Sequence, residues 1–542
     1  MKKTRICAAA AAVSILMSGC ADNGQSSSSS SQTDSAAATT AAATEPVTER
    51  KPADPAKIKY ADSYEFEKLS YGNTEKKEVS ILVEAEDADD EAGVSVKNSG
   101  EGFSGSGYVD ISDNKAFSIK VDIPASQFYK ITVRHKAGNH KENPLIIGGN
   151  KALDIVSESG DWQEISADGI YLEKGENEIT LGEGWSWFSM DSIKIENGSS
   201  IGDSIYSNTA ATLCNSNASL KAQNLYQYLK AVYGKRILAG QCTDHGRSTE
   251  TDALYRQFGK YPAIRTFDYI FDSMNACNGK PQGKDTALAL EWSSLGGIVA
   301  FDWHWHAPIG KVNFYTDKTD FKLSDAVTNE DIAMLPLDKL EELKDQGKIS
   351  KECLAIVQDI DNISSLMQRL EDADVPVLWR PLHEASGGWF WWGASGPENY
   401  IWLWKLMYAR MTDYHQLDNL IWVWNAQAAD WYPGDEYCDI CAIDIYNSPH
   451  DYGVSPSKFT EVAGWAKNGK LVAMSECATM PDPDLIIRDN VYWLWFAVWC
   501  REYIVENSVP LLTETYTSLE MMEKVYNSDA VITLDELPSF DS

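Results

Sequence analysis

The sequence predicts a multidomain chain in which an eight-stranded α/β barrel follows a smaller all-β sandwich. Two observations predict this architecture. Between about residue 79 and residue 197, short runs of alternating apolar and polar residues are separated by turn residues, which is the pattern of half-buried strands. From about residue 216 onward, continuous apolar runs alternate with helical stretches, as in parallel strands that are buried on both faces. A chain of 542 residues is also too long for a single hydrophobic core.

The first 78 residues precede both predicted domains. Residues 1–20, MKKTRICAAAAAVSILMSGC, join a basic start to an apolar run that is too short to span a bilayer, and end in small residues and Cys20. This pattern resembles the bacterial lipobox and predicts export, with either a lipid anchor at Cys20 or simple secretion. Residues 21–78 are rich in Ser, Ala and Thr, so we predict a disordered linker. The expected location is extracellular or at the bacterial cell surface, with no other membrane contact.

The net charge and the cysteine pattern argue against a nucleic-acid-binding function and against a zinc site. Lys and Arg total 47 against 80 Asp and Glu, a net charge of −33, which argues against a nucleic-acid partner because phosphate binding needs a basic surface. A neutral ligand fits better. Cys438 and Cys441 form a lone CxxC inside an apolar run, so we expect buried thiols rather than a zinc site. Disulfide pairs cannot be assigned from the sequence.

The predicted sandwich, residues 79–198, carries two groups of candidate binding residues. Glu84 and Glu86 share one side of the first strand, and Asp191 lies on the last. Since the first and last strands of a sandwich can be neighbours, these acids either meet on a calcium ion or face solvent. Trp185 and Trp187 lie in the Gly-rich loop GEGWSWFS, where they either fill the core or stack on sugar rings.

Together these residues resemble carbohydrate-binding module family 35, with its opening Glu-x-Glu and its aromatic loop followed by Asp. The resemblance covers roughly residues 79–198. It implies a β-jelly-roll with a structural calcium held by Glu84, Glu86 and Asp191, and a sugar-binding loop that includes Trp185 and Trp187.

Eight apolar runs mark the predicted barrel strands and suggest a TIM barrel. The runs are RILAGQ, PAIRTFDY, GIVAFDWHW, PVLWRPLHE, NLIWVWNA, DICAIDIY, KLVAMSEC and WLWFAVW. Active sites of such barrels lie at the C-terminal ends of the strands. The fourth run ends in Glu384 and the seventh ends near Glu476, so these two carboxyls are expected to face each other across the mouth of the barrel.

Paired carboxyls are what glycoside hydrolysis needs, since one protonates the leaving oxygen while the other attacks or activates water. Glu384 is followed by the aromatic tetrad of WFWWG. Aromatic neighbours withdraw water and disfavour the ionised carboxylate. The sequence therefore predicts that Glu384 is a general acid.

The segment WRPLHEASGGWFWWG resembles the signature of glycoside hydrolase family 26, and GKRILAGQ, FDWHWHAP and IDIYN stand where this family has similar segments. The resemblance covers about residues 217–538. It implies a retaining mechanism without a cofactor, in which Glu384 is the acid/base and Glu476 the nucleophile. The two carboxyls should then lie about 5–5.5 Å apart. The sequence SECATM around Glu476 departs from the family's frequent Glu-Phe-Gly.

Further roles follow from the resemblance alone. His383 supports the site beside the acid/base, and His304 contacts sugar hydroxyls. Tyr446 donates a hydrogen bond to the nucleophile. Trp389 is the aromatic platform on the leaving-group side, and Trp499 forms the floor under the sugar that is cleaved.

The expected activity is that of a retaining endo-β-1,4-mannanase acting on plant cell-wall β-mannan, glucomannan or galactomannan. The segment HAPIGKVNFYTDKTDFKLSDAVT resembles the mannanase branch of the family. Two alternatives remain open: relatives that cut mixed-linkage β-glucan or β-1,3-xylan, and a non-catalytic surface lectin. Loss of a glutamate would mark the lectin, and both glutamates are present.

Overall fold

The structure is a computed structural model that describes residues 52–70, 76–88, 94–111, 116–148, 150–157, 160–182, 184, 187–506 and 509–541. The predicted signal peptide with Cys20, most of the predicted linker and Trp185 lie outside the described residues. No helix within the described ranges is long and apolar enough to cross a membrane.

The first domain is an antiparallel sandwich of two sheets, as predicted. Its strands are β1 (Ser80–Glu84), β2 (Ser95–Lys97), β3 (Tyr108–Ile111), β4 (Phe117–Ile123), β5 (Gln127–Lys136), β6 (Lys141–Ile147), β7 (Asn150–Ser157), β8 (Gln163–Leu172), β9 (Gly175–Leu181) and β10 (Phe188–Asn197). One sheet has the order β2-β3-β10-β5-β8, with β1 also paired to β10, and the other has the order β4-β9-β6-β7. Alternate side chains of both sheets, such as Ile131, Leu145 and Ile193, are fully buried between them.

The second domain is a closed barrel of eight parallel strands, and each predicted apolar run forms one of them. The strands are β11 (Ile237–Cys242), β12 (Ile264–Asp268), β13 (Ile298–Asp302), β14 (Val377–Arg380), β15 (Leu420–Trp424), β16 (Ile440–Ile445), β17 (Leu471–Cys477) and β18 (Trp495–Val498). The barrel closes because β11 pairs with both β12 and β18. The short strand β19 (Val531–Ile532) adds to the start of β11. The TIM-barrel prediction is confirmed.

Helices surround the barrel strands. They are α1 (Leu220–Val232), α2 (Thr249–Phe258), α3 (Lys284–Ser294), α4 (Leu337–Asp345), α5 (Lys351–Glu371), α6 (Pro397–Tyr408), α7 (Pro456–Ala463), α8 (Pro483–Asp489) and α9 (Leu519–Tyr526). In α5 the residues Ile356, Ile360, Ile363, Met367 and Leu370 recur at helical spacing and are buried against the barrel. Ser350 caps this helix by accepting a hydrogen bond from Cys353 N at 2.9 Å.

The chain that leads into α1 contacts the N-terminal ends of two barrel strands. Ser219 N donates to Asp418 O, just before β15, at 2.7 Å. Cys214 N donates to Asp439 Oδ1, just before β16, at 2.6 Å. Because these contacts fall where strands begin, the opposite mouth, where the strands end, is left for the site.

Residues 52–70 differ from the prediction of a disordered linker. This segment, here called the N-terminal strap, lies on α1: Lys59 N donates to Asn224 Oδ1 at 2.8 Å, and the Tyr64 ring packs edge-on against Tyr228 at 5.2 Å. Phe66 also contacts Tyr228, at 6.0 Å. The aromatic contacts and the backbone hydrogen bond hold the strap on α1. The polar composition of the segment did not indicate these contacts.

The sandwich is attached to the side of the barrel through α8. Arg488 Nη2 donates to Ser126 O at 2.7 Å, and Ser200 Oγ donates to Arg488 O at 3.0 Å. The end of β10 lies at this junction, whereas Trp187 precedes its start. At about 3.3 Å per strand residue, Trp187 lies roughly 30 Å from the junction.

The cysteines behave as predicted where the prediction was specific. Cys438 and Cys441 are buried, and no disulfide joins any of the eight cysteines from Cys214 to Cys500, all of which the structure describes.

Candidate active site

Glu384 is positioned by an unusual backbone turn after β14. Leu382 and Glu384 both have left-handed backbone, with φ of 55° and 52°, a conformation that costs free energy in residues other than glycine. The turn is held by Glu384 N, which donates to Asn425 O at 2.7 Å. The left-handed turn and this hydrogen bond place the carboxyl at the C-terminal mouth of the barrel.

The structure brings Glu384 and Glu476 together as predicted from their strand ends. In the described part of the chain, Glu384, Asp444 and Glu476 each offer a carboxylate oxygen within 4.8 Å of the other two. Carboxyls that hold an attacking water between them lie about 6.5–9.5 Å apart, and those of double displacement about 5–5.5 Å. The close approach of Glu384 and Glu476 favours direct attack by one carboxylate.

Arg380 is the cation at the centre of this group of acids. It is the last residue of the buried strand β14 and donates to Asp302 through Nε at 2.8 Å and Nη2 at 2.7 Å. Its Nη1 donates to Asp444 Oδ2 at 3.0 Å, and its Nη2 also contacts Glu476 Oε1. One guanidinium thus bridges three buried carboxylates from three other strands.

The surroundings of Glu384 and Glu476 affect the pKa values of the two carboxyls differently. Burial, and then the charges of Asp444 and Glu476, raise the pKa of Glu384 well above its ordinary value. Burial and Asp444 also raise the pKa of Glu476, but Arg380 and Tyr446 act in the opposite direction. Tyr446 donates its hydroxyl to Glu476 Oε2 at 2.6 Å. Because donors favour an ionised carboxylate, Glu476 loses its proton more readily than Glu384.

A chain of polar contacts runs from Asp268 to the residue before Glu384. His304 Nδ1 lies 2.7 Å from Asp268 Oδ2. Burial disfavours charge on His304, but Asp268 outweighs it and raises the pKa of this histidine. Burial and the charge of His304 lower the pKa of His383 well below its ordinary value. His304 Nε2 therefore donates to the neutral His383 Nε2, at 3.2 Å.

The aromatic residues that follow Glu384 include one exposed ring and three buried rings. Trp389 is 38% exposed and donates Nε1–H to Glu384 Oε2 at 3.1 Å. The next three, Phe390, Trp391 and Trp392, are buried, and Trp392 Nε1 donates to His383 O at 2.9 Å. The tetrad thus gives Glu384 one aromatic neighbour with solvent access and a rigid support for its loop.

Trp499 and Tyr446 complete the mouth of the barrel. Trp499 follows β18, with its ring 5.7 Å from the ring of His304. Tyr446 follows β16, is 43% exposed, and packs edge-on against Tyr503 at 5.5 Å. All seven barrel residues singled out in the sequence therefore lie at one end of the barrel, around one group of acids.

Several residues of the site were missed by the sequence reasoning. Asp268, Asp302, Arg380, Asn425 and Asp444 all lie at or near strand ends within the eight apolar runs. The available signal was a charged or amide side chain in an otherwise apolar run, above all the arginine of VLWRP. A charge in a buried strand needs partners.

The module's candidate metal ligands converge on one short loop. Glu84 Oε2 and Asp191 Oδ2 both accept from Ser104 Oγ, at 2.7 and 2.9 Å. Glu86 Oε1 accepts from Ser106 N at 2.6 Å. Asp191 is also paired with Arg134. These three acids are not among the described groups whose oxygens all lie within 4.8 Å of one another.

The candidate sugar-binding residues of the module are partly described. Trp187 is 66% exposed and has a left-handed φ of 55°. Trp185 lies outside the described residues. The exposed ring of Trp187 contributes no core packing and is free to stack on a ligand.

Comparison with known proteins gives two family matches. The family model for glycosyl hydrolase family 26 matches residues 214–536. The model for carbohydrate binding module (family 35) matches residues 81–198. The two matches coincide with the barrel and the sandwich.

Individual proteins resemble most of the chain. A mannan endo-1,4-beta-mannosidase of Thermothelomyces thermophilus is 35% identical, over 84% of this chain and 90% of its own. Mannan endo-1,4-beta-mannosidase B of Piromyces sp is 32% identical, over 81% of this chain and 74% of its own. Among solved structures, a Podospora anserina GH26-CBM35 beta-(1,4)-mannanase is 31% identical with a TM-score of 0.58, covering 85% of this chain and 99% of its own.

Proposed function

The chain belongs to glycosyl hydrolase family 26, and on that premise we propose that it is a retaining endo-β-1,4-mannanase. The observation that carries the mechanism is the approach of Glu384 and Glu476 within 4.8 Å, with the hydrogen-bond donors gathered on Glu476. The substrate class is supported by the mannan endo-1,4-beta-mannosidases that resemble most of the chain.

In the first step, Glu476 attacks the anomeric carbon and Glu384 protonates the departing glycosidic oxygen. The protonated state of Glu384 is supported by its raised pKa, and the ionised state of Glu476 by Arg380 and Tyr446. A covalent glycosyl-enzyme forms, and the C–O bond to the leaving chain breaks.

In the second step, water enters where the leaving chain was. Glu384, now a carboxylate, takes a proton from this water, and the oxygen attacks the anomeric carbon. The bond to Glu476 breaks, and both carboxyls return to their starting states. Two inversions give net retention, and the reaction uses no cofactor.

The neighbouring residues bind and orient the sugar. His304, charged beside Asp268, lies against the sugar at the cleavage point, and its ring is fixed by Asp268 at Nδ1 and by His383 at Nε2. Trp499 lies under that sugar, and Trp389 stacks on the leaving-group side. Asp444 pairs with Arg380, and its charge helps to raise the pKa of Glu384.

Product analysis tests the proposed function. The enzyme is incubated with linear mannan, galactomannan, glucomannan, mixed-linkage β-glucan and β-1,3-xylan, and the products are separated by chromatography. A ladder of manno-oligosaccharides from the mannans supports an endo-mannanase. Faster cleavage of either other polysaccharide transfers the proposal to that substrate, and binding without cleavage of any of them indicates a lectin.

The module is proposed to bind plant cell-wall polysaccharide and a structural calcium. The ligand chemistry fits, because Glu84, Glu86 and Asp191 are hard oxygen donors that all contact the loop of Ser104 and Ser106, and Glu86 Oε2 is buried with no hydrogen-bond partner among the described residues. Trp185 and Trp187 are the proposed stacking residues. Trp187→Ala should reduce retention on mannan in affinity electrophoresis without lowering the melting temperature, because the ring is exposed. Unchanged retention would remove Trp187 from the binding site.

Export and a lipid on Cys20 remain part of the proposal, supported by the sequence of residues 1–20. In a bacterial host grown with a clickable fatty acid, the wild type should be labelled and fractionate with membranes. Cys20→Ser should lose the label and appear in the medium. An unlabelled wild type in the medium would instead indicate simple secretion.

A further inference from the structure

An exposed aromatic ring lies next to the site, in a position that the mechanism above does not use. Phe271 follows β12 by three residues and is 45% exposed. Its ring meets the ring of His245 edge-on at 5.1 Å and lies offset from that of His306 at 6.0 Å. Phe271 thus lies between two histidines just beyond the C-terminal end of a barrel strand, where its exposed ring can offer a face to a ligand.

Each of the two histidines has one nitrogen held by the protein. His245 Nδ1 lies 2.6 Å from the buried Asp285 Oδ2 and 3.2 Å from Asp268 O. His306 Nδ1 lies 2.6 Å from Ile270 O. Among the contacts of the described residues, the Nε2 atoms of both histidines have no protein partner.

The contacts of Nδ1 in each histidine determine whether Nε2 donates or accepts a hydrogen bond. Burial opposes charge on His245, but Asp285 outweighs it and raises the pKa to about 9, so Nε2 carries a proton and donates. Burial lowers the pKa of His306. Since a carbonyl only accepts, the proton of neutral His306 lies on Nδ1, and Nε2 accepts. An aromatic face between a donor and an acceptor matches a pyranose, which presents C–H groups on its face and hydroxyls at its edge.

The order of the strands around the barrel shows on which side of the cleavage point this surface lies. Around the barrel the strands run β18, β11, β12, β13, β14. Trp499 follows β18 and His304 follows β13, and the sugar that is cleaved lies between them. The loops of β11 and β12, with His245 and Phe271, fall between these two strands. Trp389, on the leaving-group side, lies beyond β14. The surface therefore flanks the glycone.

We propose that Phe271, His245 and His306 form a glycone-side subsite that binds a β-1,4-linked mannosyl unit by stacking on Phe271. This inference rests on the proposed mannanase function. Neighbouring strands are about 4.8 Å apart, a spacing similar to the length of one sugar unit. A chain bound at His304 thus reaches Phe271 with its next units on the non-reducing side.

The test is the cleavage pattern of mannohexaose that carries ¹⁸O at its reducing end, read by mass spectrometry. Phe271→Ala should lower kcat/KM on mannohexaose roughly three- to tenfold, the loss expected for one aromatic stacking contact. It should also shift cleavage toward the non-reducing end, because fewer sugars are held on the glycone side. Phe271→Trp keeps a stacking ring and should keep the wild-type pattern.

Tyr255→Ala is the matched control, since Tyr255 is 48% exposed on α2 and stacks on Tyr261 away from the mouth. It should change neither rate nor pattern. An unchanged pattern in Phe271→Ala, with a wild-type melting temperature, would overturn the subsite, and a shift toward the reducing end would place Phe271 on the leaving-group side, against the proposal. If the wild type fails to cleave mannohexaose at all, the proposed function fails instead.

Discussion

The hydroxyl of Tyr446 lies 2.6 Å from Oε2 of Glu476, while the other oxygen of that carboxylate contacts Arg380. Both oxygens of the proposed nucleophile are therefore occupied by donors before substrate arrives. Among the described residues, Glu384 accepts one side-chain hydrogen bond, from Trp389. The two glutamates thus differ in the number of donors around them, and this difference supports their proposed roles.

Tyr446→Phe removes one donor from Glu476. The hydrogen bond favours the carboxylate, so its loss raises the pKa of Glu476. The acidic limb of the kcat/KM profile should then move to higher pH, with a rate loss of roughly tenfold for a charge-assisted hydrogen bond. Tyr226→Phe, which loses a hydroxyl contact to Ala210 O at the other mouth, is the control. A fixed acidic limb would show that this hydroxyl does not set the ionisation of Glu476.

Replacing either glutamate tests double displacement. Glu384→Ala should reduce turnover on mannan by about 10²–10⁴-fold, the usual contribution of general acid–base catalysis, and Glu476→Ala should reduce it by several orders of magnitude. On an activated aryl mannoside, azide should rescue Glu476→Ala and give the inverted glycosyl azide, because the anion fills the vacated space. Glu398→Ala, at an exposed position of α6, is the control. Absence of rescue in both folded variants argues against a covalent intermediate.

Trp389→Phe tests the tuning of Glu384. The Trp389 Nε1–H favours the ionised carboxylate, so removing it while keeping an aromatic ring should raise the pKa of Glu384 further. Activity on natural substrate falls as this proton is lost, so the alkaline limb should move to higher pH. The measurement is kcat/KM against pH on a manno-oligosaccharide. A shift of this limb to lower pH would contradict the role of the indole hydrogen bond.

Arg380→Met should destabilise the barrel by about 3–5 kcal/mol, because three buried carboxylates lose their cation. Even beside Arg380, burial raises the pKa of Asp302 to about 7. Without the guanidinium this pKa rises more, and the folded state binds more protons than the unfolded state. Stability then falls as pH rises. Melting temperatures of wild type and variant should differ less at pH 5 than at pH 8, and Arg247→Met, at an exposed position, should differ little at either.

Calcium removal should lower the melting temperature of the module. An ion that binds only the folded state stabilises it by mass action, so a chelator should lower the transition of residues 79–198 and added calcium should restore it. Glu86→Gln removes a ligand charge and should weaken the response to calcium, whereas Glu176→Gln, in an exposed pair with Lys120, should preserve it. A chelator-insensitive transition in the wild type would mean that Arg134 alone balances Asp191.

The barrel strands could be predicted because a strand buried on both faces leaves a continuous apolar run, and all eight runs became strands. The glutamate pair could be predicted because strand ends share one mouth. The role of Arg380 could not, since Asp302, Asp444 and Glu476 belong to three other strands and meet it only after the barrel closes. The order of the N-terminal strap could not be predicted for a related reason. Tyr64 and Phe66 pack on Tyr228, which is more than 160 positions away in the sequence, so the segment itself carries no sign of this contact.

The strap also limits what the module can do for the enzyme. Both chain connections of the sandwich are fastened to the barrel, one through the strap on α1 and the other through Ser200 and Ile201 beside Arg488 and Asp489. If the module binds polysaccharide through Trp187, as proposed, these attachments hold the cleft at a constant offset from the bound polymer. Once the polysaccharide within reach of the cleft has been hydrolysed, the module must dissociate and bind at a new place before more insoluble substrate can be cut. On this proposal, sustained degradation depends on the dissociation rate of the module rather than on its affinity.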